Sequence, residues 1–110
     1  MAVLLVEIFA HAPEDTDPRT LPEQGWVADQ FGRALAPLIN NPAAILPLLG
    51  YVVTPYEGAA MVEAQCVTGS GTEAMDVIAA RLEAAMHDHP NTFTGWHLQA
   101  GLTRVQMSDN

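Results

Sequence analysis

Hydrophobic residues occupy nearly every position from Val3 to Ala10, close to the start of the chain. A β-rich run of this kind predicts a strand that is covered on both faces or lies centrally in a sheet. Residues 11–25 follow, with four acidic residues and three prolines. This composition predicts a long loop, and such a loop in a small domain indicates a functional loop or an arm that reaches a neighbour.

A first helix is predicted after the loop. Thr20 and Glu23 have the spacing of a capping box, which places the start of the helix near Leu21. Apolar residues then recur at helical spacing, at Val27, Phe31, Ala34, Leu35 and Leu38. Pro37 should kink this helix or end it soon afterwards. The pattern over residues 43–49 leaves helix and extended chain both open.

The next three elements form a hairpin and a second helix. Residues 51–54 and 60–68 predict two strands joined by a turn at 55–58. Ser70 and Glu73 repeat the capping-box spacing and predict a helix that runs to His87. Its apolar stripe consists of Met75, Ile78, Ala79, Leu82, Ala85 and Met86.

Residues 92–107 predict the last strand. One face would carry Trp96, Leu98, Ala100 and Leu102, whereas Val105 and Met107 fall on the other face. Gly101 lies near this change of phase and is a natural position for a β-bulge. The element order is therefore βαββαβ. It predicts one α+β domain over residues 1–110, a ferredoxin-like sandwich with two helices on one face of an antiparallel sheet.

Charge and composition limit the classes of partner. Thirteen acidic residues stand against four arginines and no lysine, giving a net charge of −9. Tight binding to a nucleic-acid backbone needs clustered cations, so it is disfavoured. Only 15% of residues are charged and 49% are hydrophobic, which favours self-association to cover apolar surface. No signal peptide or membrane span is recognised, and a cytoplasmic or virion location is expected.

Three of the four histidines lie between residues 86 and 97, at His87, His89 and His97. A metal site there would need His87 and His89 to converge, but residues two apart in a helix point about 200° apart. Histidines near a helix C-terminus also interact well with its exposed carbonyls, and Pro90 blocks continuation of the helix. We therefore interpret His87 and His89 as the end of a helix. His97 should alternate with Trp96, one ring inward and the other outward.

Other candidate sites are equally weak. His11 and Glu7 share a strand face but stand roughly 13 Å apart. The Gly-Ser-Gly turn around Ser70 lacks the lysine and spacing of a phosphate-binding loop. The neighbours of Cys66 alternate as in a strand, so we interpret it as a buried, inert thiol. It is the one cysteine of the sequence, which excludes an intramolecular disulfide. Trp26 and Trp96 are more typical of core or interface anchors. No catalytic, cofactor-binding or metal residues are assigned, no cofactor is expected, and a non-enzymatic role is favoured.

The C-terminal half of the chain resembles tailed-phage tail-terminator and related minor tail or neck proteins. The likeness consists of a strand at 62–68, a polar turn at 69–72, an Ala-rich helix at 73–87, and Thr92-Phe93-Thr94-Gly95 opening a long strand. This resemblance implies a structural subunit that forms a ring, with itself and other tail or neck proteins as partners.

The opening strand is also similar to that of small dimeric α/β-barrel families, which include monooxygenases of the antibiotic-biosynthesis type. That resemblance implies two sheets packed face to face and a pocket near His11, Trp26, His97 or Tyr51. A small regulatory or ligand-binding module is a third possibility. The oligomeric state separates the first two hypotheses, since one implies a ring and the other a dimer.

Overall fold

The computed structural model describes residues 2–68 and 71–108. Its strands and helices are, in chain order, β1 (Ala2–His11), α1 (Gln24–Leu35), β2 (Leu48–Tyr56), β3 (Ala59–Thr68), α2 (Gly71–His87) and β4 (His97–Ser108). Two short 3-10 helices, Pro18–Thr20 and Ala36–Leu38, flank α1. The predicted α+β class and the order of its elements are confirmed.

The four strands form one antiparallel sheet in the order β2-β3-β1-β4. Alternate residues of the two central strands are buried beneath the helices, namely Leu4, Val6, Ile8 and Ala10 of β1 and Ala60, Val62, Ala64 and Cys66 of β3. They share one hydrophobic core with Phe31 and Leu35 of α1 and with Ile78 and Leu82 of α2. Both helices thus pack on the same face of the sheet, and the opposite face has no covering layer within the described residues.

Helix α1 begins later than the sequence predicts, and the expected capping box is wrong. The N-cap is Glu23, whose carboxylate accepts hydrogen bonds from the backbone N–H groups of Gly25 and Trp26 at 2.9 and 2.8 Å. Thr20 instead closes the preceding 3-10 turn, where its hydroxyl donates to the carbonyl of Asp17. Leu21 is extended, so Thr20 cannot reach the helix. At the other end, α1 stops at Leu35, two residues earlier than predicted, and Pro37 lies within the 3-10 turn Ala36–Leu38 that follows.

The acidic loop folds back on its own chain. The N–H of Ala12 donates to the carbonyl of Gly58 in the β2–β3 turn, at 2.8 Å. Leu21 packs over the same glycine, which has a positive φ of 71°. The Thr16 hydroxyl also donates to the carbonyl of Pro13, at 2.7 Å. The loop is therefore fastened to the hairpin rather than extended as an arm.

The hairpin is confirmed, with strands longer than predicted and a shorter turn of only Glu57 and Gly58. The undecided segment is turn-like up to β2, which begins at Leu48. Asn41 organises its first residues, because its side-chain oxygen accepts from the N–H of Ala43 at 3.0 Å. Asn40, which precedes Asn41, has a positive φ of 48°, a conformation that asparagine tolerates in turns.

Helix α2 buries the expected stripe along its length. Its buried residues are Ala74, Ile78, Leu82, Ala85 and Met86, while Met75 and Ala79 are half-buried beside them. The predicted capping residue Ser70 lies outside the described residues. The helix ends at His87, as the sequence predicts.

Strand β4 starts at His97, five residues later than predicted. The preceding residues turn tightly, since the N–H groups of Thr92 and Phe93 both donate to the carbonyl of His89 at 3.1 Å. The hydroxyl of Thr94 donates to the carbonyl of Pro90, at 2.6 Å. These local bonds occupy the groups that a strand would offer to its neighbour.

The predicted bulge at Gly101 is present. Ile8 pairs with Ala100 and Val6 with Thr103, so Gly101 and Leu102 together oppose Glu7. A Cβ atom at Gly101 would stand 2.7 Å from Oε1 and 2.9 Å from Cγ of Glu7, and 2.9 Å from the Phe9 ring. Position 101 therefore accommodates only glycine without movement of its neighbours. The extra residue also shifts the phase of β4, bringing Val105 opposite Leu4 on the helix-covered face.

We predict that Gly101→Ala lowers the free energy of unfolding by about 1–3 kcal/mol, the usual cost of forced overpacking. Gly50→Ala is the matched control, because its new Cβ would meet only Gln65 Oε1 at an ordinary 3.7 Å. The free energy of unfolding of this control should stay within about 0.5 kcal/mol of the parent value. Urea unfolding followed by circular dichroism measures both, and equal stability of the two variants would contradict the close approach.

The cap at Glu23 predicts a pH dependence of stability. Hydrogen bonds from Gly25 and then Trp26 hold the pKa of the Glu23 carboxyl below its ordinary value of 4.5. A folded-state pKa that is lowered stabilises the fold above the ordinary value, and this contribution disappears as pH falls below about 4.5. Glu23→Gln should therefore be less stable than the parent at pH 7, with a smaller difference at pH 3. Thermal unfolding at both values checks this, and an undiminished difference at pH 3 would count against it.

Candidate functional site on the open face of the sheet

The sheet surface opposite the helices is the strongest candidate for function. We define the open face as the odd-numbered residues of β1 and β3, the even-numbered residues of β2 from Gly50 to Tyr56, and His97, Gln99, Gly101 and Arg104 of β4. The strand register places these residues in rows across the four strands. Alternation along each strand separates them from the buried core.

Apolar side chains make up much of the open face, namely Val3, Leu5, Phe9, Val52, Tyr56, Met61 and Val67. Val52 is 58% exposed and Tyr56 is 51% exposed. A shallow hollow of about 340 Å³ lies on this side, lined by Leu5, Gly50, Tyr51, Val52, Glu63 and Gln65. A sheet face that met only water would be expected to carry mostly polar residues.

Two carboxylates lie directly opposite each other in the centre of the open face. Glu7 of β1 is in register with Glu63 of β3, and Val52 continues the row on β2. Like charges in directly opposed positions of an antiparallel pair are unfavourable. Glu7 has one compensating contact, because its Oε1 accepts from the N–H of Leu102 in the bulge at 3.4 Å.

Two histidines also meet on the open face, at the end where β1 finishes and β4 starts. His11 and His97 are directly opposed in register, and their ring centroids are 5.3 Å apart with planes 29° apart. Phe9 stacks on His11 from the other side, at 6.1 Å between centroids. No local pattern in the sequence indicates that these two histidines meet.

Of the two histidines at the end of α2, His89 contacts the hydrophobic core and His87 does not. The edge of His89 packs against Trp26 with 5.0 Å between ring centroids, and Trp26 in turn stacks on Phe93 at 5.7 Å. Trp96 meets Phe93 edge-on at 5.1 Å. His87 is the last residue of α2 and is exposed. The interpretation of His87 and His89 as a helix end is confirmed, and both tryptophans are anchors of the hydrophobic core.

Cys66 is fully buried on the helix-covered face of β3. Burial raises the pKa of its thiol, which keeps the reactive thiolate scarce. The histidine pair lies on the other face of the sheet, so it cannot act as a base for this thiol. The interpretation of Cys66 as an inert core residue is confirmed.

A second concavity lies between the helices. This groove of about 360 Å³ is lined by Gln30, Arg33, Ala34, Pro37, Arg81, Ala84, Ala85 and Asp88. Arg33 is already paired with Asp29 at 2.8 Å. The groove therefore offers a ligand little unpaired cationic charge beyond Arg81.

The Gly-Ser-Gly turn lies mostly outside the described residues, since only its last glycine, Gly71, is among them. Among residues 2–68 and 71–108, no three His, Cys, Asp or Glu side chains are grouped so that they could hold a metal ion. Over the same ranges, no helix has the length and hydropathy needed to cross a membrane.

Comparison with known proteins returned no matching family model, no matching curated protein and no matching solved structure.

The opposed carboxylates predict an unusual stabilising substitution. Glu63→Gln removes one of the two charges and keeps the shape, so it should raise the free energy of unfolding by about 0.2–1 kcal/mol at pH 7 and low salt. Added salt should reduce the gain, because it screens the repulsion. Glu57→Gln on the exposed turn is the control and should change little. A loss of stability in Glu63→Gln would show that this carboxylate is needed.

Proposed function

We propose that this protein is a non-enzymatic, homo-oligomeric assembly subunit in which a second copy of the chain covers the open face. The observation that carries the proposal is the set of seven apolar side chains on that face, which neither helix covers. Burial of such a surface is the main favourable term in association between proteins.

The size of the open face supports a stable interface. Four strands and about nine residues per strand give a surface of roughly 20 by 30 Å, or about 600 Å² in projection. The side chains add relief to this area, and a standard interface buries about 800 Å² per partner. One second copy is therefore large enough to cover the face.

The charges of the open face also suit a second copy. Each subunit carries Glu7 and Glu63 at the centre and Arg104 one row away, opposite Leu5. A two-fold interface places the same patch of both subunits in contact. If the two copies are offset by one row, each Arg104 lies nearer the carboxylates of the other copy. The repulsion between Glu7 and Glu63 is then reduced.

The fold family and the kind of assembly can be proposed from the strand order, the helices and the net charge. We propose that the strand order and the two crossover helices make this a ferredoxin-like sandwich. We also propose that pairs of chains joined at the open face associate further, through a second interface, into a ring of the tail-terminator or head-tail-joining kind. Other tail or neck proteins would then be further partners, and the location would be the cytoplasm or a virion. The net charge of −9 supports this role, because an acidic wall lets DNA pass without holding it.

A two-subunit barrel that binds a small ligand is the second candidate. It is favoured by the hollow beside Leu5 and Val52, which a second sheet would close into a cavity. Pockets of about 300–1,000 Å³ between packed layers are typical small-molecule sites. In this alternative, the histidine pair and Glu7 would contribute the polar groups on the same face.

Mass measurement of the purified chain and two matched variants tests the proposal. Val52→Lys places a charge on the open face, whereas Val105→Lys places one at a similarly exposed site opposite Leu4 on the other face. We expect an oligomer for the parent by light scattering, loss of that oligomer in Val52→Lys, and its retention in Val105→Lys. Circular dichroism should show that both variants are folded.

The outcomes separate the hypotheses. A stable hexamer or larger ring favours the tail-terminator kind of subunit, and a stable dimer favours the two-subunit barrel. A parent chain that remains monomeric at all concentrations would overturn the proposal. Dissociation in Val105→Lys alone would move the interface to the exposed edge of β4 and would also overturn it.

A further inference from the structure

We propose that His11 and His97 form a binding site for a divalent transition-metal cation of the Zn²⁺, Ni²⁺ or Cu²⁺ class. The two residues lie on adjacent antiparallel strands, directly opposite each other and on the same face. Imidazole nitrogen is a preferred ligand of these cations. The inference does not depend on self-association, because both ligands come from one chain.

The separation of the rings suits shared coordination. Zinc–nitrogen bonds are about 2.0–2.1 Å, so two imidazoles at adjacent tetrahedral positions have ring centroids about 5 Å apart. The observed separation is 5.3 Å. The planes are 29° apart, so we infer that binding turns the two side chains about their rotatable bonds to bring one nitrogen of each ring to the cation.

Both imidazoles are free to bind. Among the described residues, neither ring has a hydrogen-bond or ion-pair partner, and their ring contacts are with each other and, for His11, with Phe9. His97 is exposed and His11 is half-buried, so solvent reaches the pair. Water molecules would supply the remaining ligands, as they do at open metal sites.

The strand pairing holds the two side chains in place before a metal arrives. His11 is the last residue of β1, and it pairs with Ala59 on one side and with His97 on the other. The Phe9 ring, stacked at 6.1 Å, limits movement of the His11 ring towards the middle of the face. A pair that is already juxtaposed loses less conformational entropy on chelation.

His87 and His89 do not share this arrangement. His87 lies in the last turn of α2, and the ring of His89 packs against Trp26. They provide matched controls, because each is a histidine of the same chain outside the pair.

Calorimetric titration of the untagged full chain with Zn²⁺ tests the site. We expect one Zn²⁺ per chain, with affinity weakened on the order of tenfold or more in His11→Asn and in His97→Asn, since even lost outer-shell partners can cost that much. His87→Asn should bind as the parent does. His11 and His97 both lie on the open face, so light scattering in parallel records the mass of each variant and distinguishes a loss of Zn²⁺ binding from a loss of the oligomer.

Paramagnetic broadening provides a second measurement on the unaltered protein. Cu²⁺ added below one equivalent should first broaden the amide NMR signals of residues 10–12 and 96–98. Broadening centred on residues 86–90, or Zn²⁺ binding that is unaffected by loss of either His11 or His97, would overturn the proposal. Absence of one-to-one binding in the parent would overturn it as well.

Discussion

Strand β1 is the element on which the rest of the structure depends. It is hydrogen-bonded along both edges, to β3 and to β4, and therefore fixes the register of the sheet interior. Its side chains at Leu4, Val6, Ile8 and Ala10 are buried beneath the helices, and its odd-numbered side chains form the middle of the open face. A strand of this kind cannot shift by one residue without exchanging the core for the surface. The helix packing and the open face are two consequences of one alternating sequence.

Much of the fold could be predicted because periodicity and turn residues act locally. The stripe on α2, the hairpin and the bulge at Gly101 each have a signal within a few neighbouring residues. The predicted start of α1 was wrong because two helical turns follow each other here, one capped by Asp17 and the other by Glu23. Thr20 donates both its backbone N–H and its hydroxyl to the carbonyl of Asp17 in a 3-10 turn, and Glu23 caps the helix. A spacing rule alone does not decide which of two adjacent turns uses a given hydroxyl.

The histidine pair could not be found in the same way, since His11 and His97 are separated by most of the chain. Their meeting depends on β4 pairing with β1, and on a register that local patterns do not specify. The observed strand order, in which the last strand lies beside the first, places them on neighbouring strands. The clustered histidines gave the stronger local signal, yet they became part of a helix end and an aromatic core contact.

The bulge opposite Glu7 has a consequence for misfolding. An outer strand with a uniform pattern can slip along its neighbour, and such slippage exposes apolar residues to other molecules. In β4, only Gly101 leaves room for the Glu7 carboxylate and the Phe9 ring. A slip of one residue would press the side chain of Ala100 or Leu102 into that space. The close approach of Glu7 and Phe9 to Gly101 therefore favours one register of β4 over its neighbours. It disfavours misregistered pairing of the last strand during folding.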